Sequence, residues 1–171
     1  MSVRRPIIPL AKAAHVLPYR PAQRRYDPWR DLRQNWPDVD LIVEPMEGDL
    51  LGEVRDGGRT IALRAGTSTG QRRCTLTHEI VHLERGLFEC GPFEQREEQL
   101  VHAEVAHRLI PVDVLAEAIR FLGGDGDSGA LALLLDVDSE TLDLRRRLLD
   151  RLDRRAMRRV LSAQVALWSV A

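Results

Sequence analysis

CTLTHEIVHLERG, residues 74–86, carries His78, Glu79 and His82 in the order His-Glu-x-x-His. On a helix, residues four apart project from one face, one turn above the other. His78 and His82 can then aim two imidazoles at a single point, and two neutral imidazoles suit Zn²⁺. Glu79 stands about 100° further round the helix. It flanks such a metal instead of binding it, where it can take a proton from an attacking water. Either histidine alone would more often be an ordinary core or surface residue, so the reading depends on the segment being a helix.

The flanking residues predict that helix. Ser68-x-x-Gln71 fits a capping box, in which each side chain satisfies a free amide at the helix start. Gly86 is a natural C-terminal stop. The motif therefore falls inside a helix of about four turns, among the apolar residues Leu76, Ile80, Val81 and Leu83. A catalytic zinc needs a third protein ligand and leaves a fourth position for water. The next segment, FEQREEQLVHAEVAHRLIP (93–111), offers Glu94, Glu97, Glu98, His102, Glu104 and His107. Spacing does not choose among them, and most of its acids also suit a solvated face with Arg96 and Arg108.

Upstream, DPWRDLRQNWPD (27–38) predicts a helix capped by Asp27, with Pro28 in the first position and Pro37 after its end. Trp29, Leu32, Arg33 and Trp36 recur at helical spacing, which assigns the tryptophans to packing. Three β-like runs follow at 39–46, 50–55 and 60–66, the last two joined through Asp56-Gly57-Gly58, the chemistry of a tight hairpin turn. They predict a small antiparallel sheet. Residues 60–64, just before the motif helix, are the strand expected to receive an extended peptide as an added strand. Downstream, helices are predicted at 94–109, ending at Pro111, at 112–122, and through most of 128–170 after the GDGDSG loop. A short helix is expected around 10–16 within a Pro- and Arg-rich arm.

The totals agree with a soluble globular chain. Of 171 residues, 44% are hydrophobic and 30% charged, with a formal net charge of −1, so no bulk charge drives binding to nucleic acid or membrane. Cys74 and Cys90 are too few for a disulfide scaffold and read as reduced thiols. Pro6, Pro9, Lys12, His15 and Pro18 break up any signal-like apolar run, and no stretch approaches the roughly 20 apolar residues needed to span a bilayer. A cytoplasmic location without a membrane partner is expected.

QRRCTLTHEIVHLERG, with the later EEQLVHAEVAHRLIP, resembles the ImmA/IrrE family of metallopeptidases. Members read approximately Gln-Arg-x-x-x-Leu-x-His-Glu-x-x-His, then Glu-x-x-Ala-Asn and a Leu-Met-Pro-like ending. Gln71, Arg72, Leu76, His78, Glu79 and His82 match the first part, and the likeness covers roughly residues 27–120. Aligning Leu109-Ile110-Pro111 with the ending implies that Glu98 is the third ligand, with Glu97 its nearest rival. Val101 and His102 replace the family's Ala-Asn. His102, one turn beyond Glu98, is then expected to orient Glu98, stabilise an oxyanion or serve as a ligand. The resemblance implies one Zn²⁺ per chain, although Mn²⁺ or Fe²⁺ suits the same ligands. It also implies a cytoplasmic endopeptidase that cuts a helix-turn-helix transcriptional repressor, often encoded beside it on a phage, other mobile element or stress-response locus. Cys74 falls where the family is apolar and reads as a small buried thiol.

The last third allows another reading. ALALLLDVDSETLDLRRRLLDRL (130–152) reads as helix, short turn at DVD and a second helix capped by Asp138 or Ser139, which resembles a DNA-binding helix-turn-helix. Arg145, Arg146, Arg147, Arg151, Arg154, Arg155, Arg158 and Arg159 could meet phosphates. Glu140, Asp143, Asp150 and Asp153 interrupt that face, a pattern usual for an ion-paired, solvated surface. The expectation is thus an α+β chain. Residues 1–26 form an arm, and 27–122 a zincin-like peptidase domain with a small antiparallel sheet. Residues 123–171 form a C-terminal helical, helix-turn-helix-like subdomain. A DNA-binding regulator and a zinc-binding pseudo-peptidase acting through protein contacts are the alternatives.

Overall fold

A computed structural model describes residues 25–86, 94–124 and 127–162. Within them the chain is α+β, with seven helices and a three-stranded mixed sheet. Helix α1 (Pro28–Asn35) starts as its sequence requires: Asp27 accepts from the Arg30 amide at 3.1 Å, and Pro28 occupies the first turn. Strands β1 (Asp40–Glu44), β2 (Gly52–Arg55) and β3 (Thr60–Arg64) follow. Asp56, Gly57 and Gly58 all take positive φ in the turn between β2 and β3. Then come α2 (Thr69–Arg85), α3 (Glu94–Leu109), α4 (Val112–Phe121), α5 (Ser128–Leu135), α6 (Ser139–Arg147) and α7 (Arg151–Ser162). The helix expected at 10–16 and Cys90 lie outside the described residues, as does the chain beyond 162. No helix among the described residues is long and apolar enough to cross a membrane.

The sheet corrects the antiparallel expectation. Its order is β1-β3-β2, with β3 antiparallel to β2 but parallel to β1. The physical reason is burial. β3 carries Ile61, Ala62 and Leu63, three consecutive buried residues, the continuous apolar run of a strand covered on both faces. β1 leaves Ile42 and Val43 exposed, so it takes an edge. The chain between β1 and β2 crosses the end of β3, where the Arg64 guanidinium donates to the carbonyls of Met46, Glu47 and Gly48. Central placement also removes β3 as an acceptor of an added strand, because both of its edges are already paired. Among the described residues the unpaired edges are the outer ones of β1 and β2.

α2 is the spine. The Ser68–Gln71 capping box forms in both directions, and Gly86 ends the helix at φ +86. Leu76 and Ile80 join Leu32, Ile61 and Leu63 in a core under the sheet, sealed by the partly buried Trp29 and Trp36. Cys74 and Val81 face a second core with Val101, Val105 and Leu109 of α3, Leu115 of α4, Leu131 and Leu135 of α5, and Leu142 of α6. A helix that packs on both sides needs apolar residues all round, so α2 lacks a simple apolar stripe. Two buried cations fasten this arrangement. Arg73 donates to Leu135 O, Asp136 O and Tyr26 O, and Arg145 donates to Ile110 O and pairs with Asp153.

Candidate metal centre

α2 presents His78 and His82 on one face, as their four-residue spacing requires. Their Nε2 atoms lie 2.9 Å apart. Glu98 on α3 reaches the same point: its Oε1 is 3.0 Å from His82 Nε2 and its Oε2 is 3.5 Å from His78 Nε2. The three donors thus lie close enough to share one metal ion, with His82 and His78 meeting different oxygens of Glu98. The donor chemistry fits as well. Burial, helped by His82 and His102, lowers His78 to about 3, which keeps its imidazole neutral and available for a metal.

His102 stands one turn beyond Glu98. Its Nε2 is 3.9 Å from Glu98 Oε2, and its ring centroid is 4.8 Å from that of His78. His78, Glu98 and His102 together offer donor atoms all within 4.8 Å of one another and could hold a metal ion. His102 is the exposed member, with 57% of its side chain open to solvent. Glu98 aside, the acids of α3 whose side chains are described are occupied elsewhere. Glu97 pairs with Arg85 of α2, Glu104 pairs with Arg108, and His107 is exposed in the last turn. The Glu94 side chain lies outside the described residues. Arg108 also clasps Glu84, so ion pairs on both sides of Glu98 tie α3 to α2.

Glu79 is 5% exposed and its carboxylate meets no donor among the described residues. Burial first, then the charges of Glu98 and Glu53, raise it to about 8. A carboxyl poised near neutrality beside a ligand cluster can hold or release a proton under ordinary conditions. Cys74, one turn before His78, is a buried thiol pushed up to about 12 by burial. Its sulfur accepts from the Asp138 amide at 3.5 Å, so it is engaged as a packing group.

These groups open onto a cleft of about 840 Å³. One wall is the approach to β2, Asp49 through Gly52; the opposite wall is α6, through Thr141, Leu144, Arg147 and Leu148. Reading the sequence missed both walls. Gly52 was the available signal, since a glycine within a strand often marks close approach of another element. A Cβ at Gly52 would lie 2.4 Å from Thr75 Cγ2, so β2 rests directly on the helix that carries the histidines. Gly70 plays the same part at the start of α2, where a Cβ would meet the Val137 backbone at 3.0 Å. No family model matches the chain, and no curated protein matches it.

Proposed function

We propose that the protein is a zinc-dependent endopeptidase of the ImmA/IrrE kind, acting in the cytoplasm on one specific protein, a helix-turn-helix transcriptional repressor. The observation that carries this reading is the convergence of His78, His82 and Glu98 beside a buried, unpaired Glu79 in a cleft with an open strand edge. His78, His82 and Glu98 would hold the ion. When bound, zinc acidifies water and polarises a carbonyl, the chemistry that amide hydrolysis requires.

The chain's own groups supply the rest. In its ionised form Glu79 takes the proton of the attacking water and returns it to the leaving amine. His102, on the open side of the cleft, would donate a hydrogen bond to the oxygen that gains charge at the scissile carbonyl. The free edge of β2 can pair with an extended substrate backbone, which holds the bond in place without reading its side chains. The wall formed by α6 then meets the side chains.

Purified wild type and Glu79→Gln, incubated with helix-turn-helix regulators encoded near the gene, test this assignment. The proposal expects cleavage by the wild type only, with zinc retained in both proteins. A Glu79→Gln protein that still cuts would contradict the role of Glu79. A wild type that holds zinc yet cuts nothing would make the site a binding centre without hydrolysis.

A further inference from the structure

α7 carries a surface that the metal centre does not use. Its inner side, with Ala156, Met157, Val160 and Leu161 half-buried, packs along α4 and the main core. Its outer side displays Arg151, Arg154, Arg155, Arg158 and Arg159, all exposed, and none of them is in an ion pair among the described residues. Asp153, the only acid in the helix, is turned inward and held by Arg145 at 2.9 Å. Asp150 is used at the helix start, where it accepts from the Asp153 amide. Of the two acids nearest this face, Asp153 is thus turned away from it, while Asp150 stays exposed and caps the helix start.

What remains is unbalanced charge. The pairs 151/154, 151/155, 154/158, 155/158 and 155/159 stand three or four residues apart, where like charges repel one another. The chain as a whole has a net charge of −1, so this positive field is local and not a by-product of composition. Guanidinium groups in a fixed row suit phosphate oxygens, which they can grip two at a time.

We infer that the outer face of α7 docks on the phosphate backbone of duplex DNA, independently of base sequence. The helix is preformed, because its apolar side, Leu152 excepted, is already committed to α4 and the main core. That commitment also argues against a membrane surface, which would need the apolar stripe free. The exposed face has no aromatic residue, whereas single strands are held largely by stacking on aromatic side chains. The contact is distinct from major-groove reading by α6. Arg145 of that helix is buried, Arg146 is engaged with Ser128 and Asp143, and α6 itself forms a wall of the cleft.

The test is fluorescence anisotropy with labelled duplexes of about 20 base pairs in two unrelated sequences, titrated from about 50 to 200 mM salt. Both duplexes should bind alike, with a log–log salt slope of about −3 to −4.5, as three to five phosphate contacts at ~0.9 each require. Arg154→Gln/Arg155→Gln/Arg158→Gln should flatten the slope by about 2 to 3 and weaken binding at least tenfold. The single Arg155→Glu variant gives a milder version of the same change if the triple variant folds poorly by circular dichroism. Removing metal with a chelator should leave the binding unchanged, which separates this inference from the fate of the metal centre. No binding at low salt, an unaltered slope in the folded variants, or binding confined to single strands or anionic phospholipid vesicles would overturn it.

Discussion

α2 and α7 are the two helices richest in chemistry, and they handle it in opposite ways. α2 buries the polar groups of its middle turns and gives most of them a partner: Thr77 bonds Arg73 O, Arg73 bonds three carbonyls, and His78 and His82 meet Glu98. α7 has no fully buried residue and leaves five arginines in solvent. The first arrangement makes a site whose geometry is set by the core on both sides. The second makes a surface whose charge is available and whose exact geometry matters little. Substitutions should therefore be expensive in α2 and its supports, and nearly silent for folding in α7.

The sharpest break of that contrast is Arg73→Met. It strips donors from Leu135 O, Asp136 O and Tyr26 O, and should destabilise the fold by about 3–5 kcal/mol in a denaturant titration. Gly52→Ala comes next. The new methyl would press on Thr75 of α2 and on the Ala62 carbonyl, a contact that neither a β-branched helical side chain nor paired backbone can yield, so a loss of about 1–3 kcal/mol is expected. It should also weaken metal binding, since β2 and the histidine helix move together.

The pH response of the metal-free protein probes the buried carboxyl itself. Glu79 is raised from an ordinary 4.5 to about 8. Its contribution to stability is thus complete below about 4.5 and lost as pH rises through about 8. His78 works the other way: lowered from 6.5 to about 3, its contribution is present above 6.5 and lost as pH falls toward 3. The melting temperature of metal-free wild type should fall between pH 5 and 8.5 relative to Glu79→Gln, which has no proton to lose. Equal pH profiles would show that Glu79 is better solvated than its burial implies. Smallest of all should be Arg155→Gln in α7, within about 0.5 kcal/mol of wild type, with the sign toward slight stabilisation as repulsion is relieved.

The same contrast explains what could be read in advance. Boundaries of α1, α2 and α3 were legible because their caps are local: Asp27, Ser68 with Gln71, Gly86 and Pro111 act within a few residues of themselves. The pairing of His78 with His82 was legible because helix geometry alone brings them together. The neighbour order of the strands was not, because alternation tells which residues face inward but not which strand takes the middle; the unbroken burial of Ile61, Ala62 and Leu63 decides that. Nor could spacing separate Glu98 from Glu97, since adjacent residues differ only in the side of α3 they occupy. Arg85 draws Glu97 to its own side, and Glu98 is left facing the histidines. The inward turn of Asp153 depends on Arg145, a partner on another helix, and only the packing reveals it.

Metal content per chain, measured for wild type beside His78→Ala, Glu98→Ala and Glu97→Ala, addresses the central claim most directly. The account predicts about one zinc in the wild type, its loss in the His78 and Glu98 variants, and its retention in Glu97→Ala. A folded wild type that takes up no stoichiometric metal when zinc is supplied, or a Glu98→Ala protein that keeps it, would contradict the account.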